Sequence, residues 1–384
     1  MKNIKPTVRS KGFRDGNLFI KNDNEVKKKI DKKIEKIRAN LNLFNLSKEN
    51  SEILSEILKQ KSIIDNNQEF FLAGHELLEF LRITDNKLHR YLIYRYKYNL
   101  YPKKKIVGDY PPCIQIEPTS VCNYRCIMCY QADKSFSSKS HGYMGNMQFE
   151  MFKKAIDELE GNIEAITFAS RGEPTLNKYF TDMLKYCEGK FLGLKMNTNA
   201  SMLNEKLIHD ILSSDLQTVV FSIDAKDKES YEKIRVNGKF EKIIKNLEQF
   251  NNIRSSQYSR NNQIVRISGV KINNEQNIDE MKKQWGNIAD VIAFTNYTPW
   301  ESSYDNEVNE IIDPCSELWL RMFLWYDGKV NPCDYDYKSK LSKFSFNNST
   351  IKEIWNSDYY NLLRTKHLDG NRKELEPCAR CINH

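Results

Sequence analysis

No apolar run in these 384 residues approaches the roughly 20 that a membrane-spanning helix needs, so no membrane association is expected. The basic opening segment, MKNIKPTVRSKGFRDG, is followed by no apolar stretch, which excludes a secretory signal and makes the cytoplasm the expected compartment. No internal repeat recurs along the chain. Nine cysteines are an odd number, which argues against a closed disulfide framework. In a reducing compartment, cysteines at short and regular spacings are more often metal ligands or catalytic groups than disulfides.

What is present is a globular composition, with 40% hydrophobic and 11% aromatic residues. The length points to two or three units. Charge is unevenly placed: residues 1–110 carry 24 Lys and Arg against 14 Asp and Glu, while the remainder carries 35 against 37. The excess reads first as a solvated helical face; attraction of an acidic partner is the alternative, and a nucleic acid is not the expected one.

Residues 24–41 place Val26, Ile30, Ile34 and Ile37 at helical spacing amid charge, an amphipathic helix. Ser47 before Leu54, Ile57 and Leu58 marks the start of a second. Residues 67–84 and 86–99 read as two more, the last with Tyr91, Tyr94, Tyr96 and Tyr98 as a packing face. Lys103–Lys105 and Pro111–Pro112 form a linker. From there the texture changes. Apolar runs at 114–116, 165–169, 193–196, 218–223, 265–270 and 291–294 alternate with helical stretches near 149–160, 177–187, 203–213, 227–235, 240–253 and 275–286. This alternation predicts βα units around a parallel sheet. Six units are too few for a closed eight-stranded barrel. The expectation is an α/β fold: a partial (β/α)6 barrel over 111–300, a helical region over 1–110, and a small hairpin-and-helix domain over 301–384. Function in such a sheet belongs at the carboxyl ends of the strands.

Cys122-Asn-Tyr-Arg-Cys126-Ile-Met-Cys129 follows the first predicted strand. Three thiolates on one compact loop suit an iron–sulfur cube with one iron left open. Zinc would want a fourth ligand, and no histidine lies at zinc spacing. C-x3-C-x-Φ-C after the first strand of a partial barrel resembles the signature of the radical S-adenosylmethionine (radical SAM) superfamily, with Met128 as Φ. The resemblance implies a [4Fe–4S] cluster whose open iron binds S-adenosylmethionine. It implies one-electron cleavage to a 5′-deoxyadenosyl radical, and a flavodoxin- or ferredoxin-type electron donor. Arg171-Gly172-Glu173-Pro174 resembles the family's Gly-Gly-Glu-Pro contact to the methionine amino group. Arg171 departs from it, and is open to a substrate, a carboxylate or a surface role. Asn197-Thr198-Asn199 resembles the ribose-contacting segment. Ser222-Ile223-Asp224 with Tyr231-x-x-Ile234-Arg235 resembles a pattern in which Ser222 touches S-adenosylmethionine and Arg235 pairs with its carboxylate. Asp224 faces substrate or holds a loop.

Cys315, Cys333, and Cys378-Ala-Arg-Cys381 form a second group, with Asp327-Gly328 as the tight turn of a hairpin between 322–326 and 329–331. A helix over 349–365 returns the chain to the last pair. Four such cysteines suit a four-thiolate zinc or a fully ligated [4Fe–4S] cluster. Their spacing resembles the shortened "twitch" form of the SPASM auxiliary domain, which implies one auxiliary [4Fe–4S] cluster acting as an electron acceptor. The full form has seven cysteines, and the chain stops three residues after Cys381.

His75, His89, His209 and His367 lie in helical stretches without metal spacing and read as packing residues. Cys187 and Cys113 read as small buried apolar groups, with a hydrogen-atom donor as the remote alternative. Tyr297, Trp300 and Glu301 follow the last predicted strand, where Glu301 is a candidate proton acceptor and an irregular linker the plainer reading. The leading expectation is oxidation or epimerisation of a small polar metabolite: a sugar, an aminocyclitol or a nucleotide-sugar. The alternative is a maturase acting on a ribosomal peptide or protein side chain, and a non-catalytic scaffold stands third.

Overall fold

The computed structural model describes residues 24–259, 262–272, 276 and 278–382. These form two compact units that meet in sequence at Ile106 and Val107.

The first unit is helical: α1 (Asn24–Ala39), α2 (Lys48–Lys59), α3 (Gly74–Arg82) and α4 (Leu88–Lys104). Helix α1 buries Ile30, Ile34 and Ile37, the stripe that the spacing predicts. The Ser47 hydroxyl caps α2 by accepting from the Asn50 amide at 3.2 Å. The third helix is shorter than the expected 67–84 and starts after Ala73, whose amide donates to the Glu76 carboxylate at 2.7 Å. Tyr91, Tyr94 and Tyr96 are buried, as a packing face requires. Among them Arg95 is buried, paired with Glu79 and 3.5 Å from Glu76.

The second unit is built on one nine-stranded sheet of order β6-β5-β4-β3-β2-β1-β7-β8-β9. Its strands are β1 (Cys113–Ile116), β2 (Ala165–Phe168), β3 (Gly193–Thr198), β4 (Thr218–Ser222), β5 (Ile264–Lys271), β6 (Val291–Asn296), β7 (Arg321–Leu324), β8 (Lys329–Asn331) and β9 (Phe344–Ser345). Neighbours from β6 through β1 to β7 all pair parallel, and only β7–β8 and β8–β9 are antiparallel. Helices α5 (Phe149–Leu159), α6 (Phe180–Tyr186), α7 (Glu205–Ser213), α8 (Lys228–Ile234), α9 (Phe240–Gln257) and α10 (Ile278–Trp285) occur between successive strands. The sheet is open, and the expected partial barrel is what the chain forms.

Alternation along the strands sorts the faces. On β3, Leu194 and Met196 join the core beneath the helices, while Lys195 and Asn197 occupy the other face. Burying each such apolar side chain contributes about 1.5–3 kcal/mol. Parallel pairing carries Glu117, Arg171, Thr198, Ser222, Tyr297 and Trp325 to the same end of the sheet.

The predicted hairpin forms between β7 and β8, and β7 also pairs with β1 in register Ile116↔Leu324, so the hairpin extends the barrel sheet. One reading of the C-terminal region is corrected. The helix expected over 349–365 is two, α11 (Ile351–Trp355) and α12 (Asp358–Leu368), because the Ser357 hydroxyl accepts from the Tyr360 amide and starts a new one.

Candidate cluster and cofactor site

The first cysteine loop leaves β1 at the carboxyl end of the sheet and is held by its own polar groups. The Arg125 and Ile127 amides donate to the Val236 and Ile234 carbonyls at 2.9 and 3.0 Å. Asn123 donates to the Ser201 hydroxyl at 2.8 Å and accepts from Asn199 at 2.9 Å. Gln131 donates to the Ser120 carbonyl at 2.8 Å and to the Arg171 carbonyl, tying the loop to the segment after β2. Three thiols are thereby presented on a fixed scaffold. The Cys122 and Cys129 sulfurs accept from the Tyr124 and Gln131 amides at 3.4 and 3.5 Å. Cys126 receives the Arg235 Nη1 at 3.8 Å. Burial pushes the Cys122 thiol up to about 12 and raises Cys126 and Cys129 as well. Ligation at these sulfurs must therefore displace protons, which the charge of a bound metal offsets.

Gly172 is a close-approach position: a Cβ there would run into the backbone of Thr119, Ser120 and Val121. The Glu173 amide donates to the Val121 carbonyl at 2.9 Å. The buried Glu173 carboxylate accepts at Oε1 from the Thr198 and Thr175 hydroxyls, both at 2.6 Å, and at Oε2 from the Asn199 amide at 2.7 Å. Burial raises its pKa even so. Oε2 keeps a lone pair for one further donor. Pro174 opens a short 3-10 turn capped by Glu173. Asn197 Oδ1 and Ser170 Oγ are buried without a hydrogen-bond partner among the described residues, which is the donor-seeking surface a sugar or ammonium fits. Ser222 ends β4, partly buried, and Met128 stands partly exposed between Cys126 and Cys129.

Asp224 is fully buried, accepts from the Val270 amide at 2.7 Å and lies 2.6 Å from the Arg235 Nε. Its loop-holding reading fits. Arg235 thus spans Asp224 and Cys126, a pairing that spacing alone did not indicate. Arg171 is not at the surface: it is 3% exposed, and its guanidinium is forked onto Glu117 at 2.7 and 2.6 Å.

The second group of cysteines also assembles. Cys315, Cys333, Cys378 and Cys381 line one cavity together with His367 and Arg372. Among the described residues no three His, Cys, Asp or Glu side chains converge closely enough for one metal ion; the four thiols ring a space instead. The Cys315 amide donates to His367 Nδ1 at 3.2 Å. Arg372, 1% exposed, donates to the Asp313, Cys378 and Cys381 carbonyls at 3.1, 3.3 and 3.0 Å. The Cys333 sulfur accepts from the Tyr335 amide at 3.2 Å. Burial pushes the Cys315 thiol up to about 12 and holds Cys333 and Cys378 well above the ordinary thiol value, with neighbouring thiols adding to it. His367, expected as a packing residue, is buried in its helix and lines this cavity.

The other candidates scatter. Cys113 sits at the amino end of β1 with its thiol 3.6 Å from the Leu320 carbonyl, and Cys187 is buried after α6. His209 bonds Tyr258 at 2.9 Å, and His89, in the helical unit, stacks on Phe44. The His75 side chain lies outside the described residues. Beyond β6 the Tyr297 hydroxyl donates to Glu301 Oε1, while Glu301 Oε2 is buried with no partner among the described residues. Trp300 packs 5.8 Å from Tyr130, which brings this stretch to the first cysteine loop.

Residues 116–284 match the family model of the radical SAM superfamily, and residues 315–382 that of an iron–sulfur cluster-binding domain, SPASM. Mycofactocin maturase MftC of Mycolicibacterium smegmatis is 24% identical over 222 residues, 58% of this chain and 53% of that protein. The tungsten-containing aldehyde ferredoxin oxidoreductase cofactor-modifying protein of Pyrococcus furiosus is 29% identical over 113 residues, 29% of this chain and 30% of that protein. The chain thus spans about half or less of the length of these curated relatives. The structure of Streptococcus suis SuiB bound to precursor peptide SuiA aligns with a TM-score of 0.54 at 16% identity, over 86% of this chain and 79% of that one. Native anSMEcpe with bound AdoMet aligns at a TM-score of 0.52 and 16% identity, over 70% and 88%. At these identities the structural likeness is one of fold. The two matched domains imply a [4Fe–4S] cluster and an auxiliary cluster. The chain carries a radical SAM domain over residues 116–284 and a SPASM domain over residues 315–382.

Proposed function

We propose that this chain is a radical SAM maturase that modifies a peptide or protein side chain. The observation that carries the reading is that two separate sets of cysteines, three on a loop and four around a cavity, lie in one compact unit. The likeness to mycofactocin maturase over 58% of the chain supports a peptide substrate in place of the sugar or aminocyclitol that cysteine spacing favoured.

In this reading Cys122, Cys126 and Cys129 hold the first cluster, and Cys315, Cys333, Cys378 and Cys381 the auxiliary one. When bound, the first cluster with S-adenosylmethionine supplies a hydrogen-abstracting 5′-deoxyadenosyl radical, and the second supplies an electron acceptor. Gly172 lets the backbone approach the cofactor, and Glu173 Oε2 accepts from its ammonium. Asn197 Oδ1 accepts from a ribose hydroxyl. Met128, Pro174 and Ser222 border the cofactor. Arg235, held by Asp224 through Nε and directed at Cys126 through Nη1, keeps Nη2 for the cofactor carboxylate. Glu301 takes the proton that leaves the oxidised carbon, through its unpartnered Oε2. The electron donor is a small protein of flavodoxin or ferredoxin type.

Mass spectrometry tests the substrate class. The reconstituted chain, with reductant and S-adenosylmethionine, is offered a panel of peptides and a panel of aminocyclitols and sugars. Loss of two hydrogens on a peptide is the expected result; turnover of the small molecules alone would sink the peptide reading.

A further inference from the structure

Where the family's motif has a glycine, this chain has Arg171, and its side chain adds a contact that a glycine cannot make. The guanidinium is forked onto Glu117, which follows β1, with Nε and Nη2 at 2.7 and 2.6 Å. The Arg171 amide reaches the same carboxylate at 3.2 Å. Nη1 donates to the Tyr337 carbonyl at 2.9 Å. The guanidinium carbon lies 4.2 Å from the Trp325 ring and 5.5 Å from the Phe136 ring. Glu117 Oε1 also accepts from the Tyr326 amide at 3.2 Å. One buried ion pair therefore touches the end of β1, the segment after β2, the residues after the first cysteine loop, and the C-terminal region.

The segment it grips lies between the two cysteine sites. Tyr337 packs on Tyr130, the neighbour of Cys129, at 5.2 Å and on Phe136 at 5.1 Å. Its hydroxyl donates to Asp133 at 2.7 Å, and Lys338 reaches Asp133 at 2.7 Å. Four residues earlier stands Cys333. Between them Asp336 is fully buried and accepts from the Leu341 amide at 2.8 Å and the Tyr304 hydroxyl at 2.6 Å. Asn331 donates to both the Cys333 and Asp336 carbonyls at 2.8 Å. Residues 333–338 thus form a stiff strap, anchored at one end to a thiol of the second site and at the other to the loop of the first.

We propose that Arg171 is a positioning residue: paired with Glu117, it locks the 333–338 strap against the first cysteine loop and so sets the spacing between the two cysteine sites. The fork geometry suits this task, because a planar guanidinium holds carboxylate and carbonyl together in fixed directions while an ammonium does not. The inference rests on the two-cluster reading above.

Two variants test it in the reconstituted full chain. Arg171→Lys keeps the charge opposite Glu117 and gives up the fork. Glu117→Gln with Arg171→Met removes both charges, so that no unpaired ion is left buried. Iron counts and the dipolar coupling between the two reduced clusters by pulsed electron paramagnetic resonance are read together, with hydrogen exchange of residues 333–338 alongside. The expected result is about eight irons, a broadened distribution of coupling in both variants, and exchange in the strap faster by about tenfold. A purely structural role would lower melting temperature and leave the coupling distribution as in the unaltered chain; that outcome overturns the proposal. About four irons in the unaltered chain would instead remove the two-cluster reading, and this inference with it.

Discussion

The two cysteine sites of this chain use arginine in opposite ways. At the first, Arg235 points a donor at a cysteine sulfur and is held there by the buried Asp224. At the second, Arg372 donates to three backbone carbonyls, two of them belonging to the cysteines themselves. The first arrangement brings positive charge to a cysteine sulfur; the second braces the chain that carries the cysteines. Exposure does not divide them: Cys122 and Cys129 are half-buried with Cys126 buried, and Cys315, Cys333 and Cys378 are half-buried with Cys381 buried.

That contrast has measurable consequences. The largest is expected from replacing Cys122, Cys126 and Cys129 together by alanine. Iron content should fall from about eight to about four per chain, and reductive cleavage of S-adenosylmethionine should vanish. If cleavage survived, the first loop would not be the reactive site. Cys378→Ala should lose a similar share of iron yet still form 5′-deoxyadenosine, while completed oxidation of substrate stops. Full oxidation with the first cluster intact would end the electron-acceptor role of the second site.

Smaller effects separate bracing from ligation. Arg372→Met removes the donor from three carbonyls, and the buried bond to Cys381 alone costs about 1–3 kcal/mol if that carbonyl finds no other donor. Thermal unfolding should drop, with iron lost from the second site before the first on titration with a chelator. Gly172→Ala forces a methyl into the Thr119–Val121 backbone, for a loss of about 1–3 kcal/mol and weaker S-adenosylmethionine binding by calorimetry.

The smallest effect is a pH dependence. Burial pushes the Asp133 carboxyl upward, but bonds from Lys338, Ser135 and Tyr337 outweigh it and hold the group well below its usual range. A folded-state value below the unfolded one means the contribution is complete above the ordinary carboxylate range and fades as pH falls through it. Asp133→Asn should therefore be less stable than the unaltered chain at neutral pH, with the gap closing toward acid. A gap that stayed constant from neutral to acid would remove the ionic contribution.

Much of the molecule was written locally. Cys122, Cys126 and Cys129 sit within eight residues, and Gly172-Glu173-Pro174 are consecutive, so their chemistry is readable without knowing what packs where. The stripe of Ile30, Ile34 and Ile37, and the Ser47 cap, obey periodicities that need only the neighbouring turn. The alternation of apolar runs and helices was enough to call for a parallel sheet, since nothing else buries such runs on both faces. The convergence of Cys315, Cys333, Cys378 and Cys381 was expected from resemblance, and the cavity they share is a matter of folding.

What no local pattern carried are contacts made across long stretches of chain. Glu117 meets Arg171 over 54 residues, and Tyr326 meets Glu117 over 209. Arg235 reaches Cys126 over 109. His367 has no metal spacing, yet α12 sets it against Cys315. Strand β7 joins β1 because its edge amides and carbonyls need partners, a demand that only the assembled sheet can meet. Residue order specified the cysteines and the elements that bear them. Their mutual placement came from burial, which brought distant charges together and left each one requiring a partner.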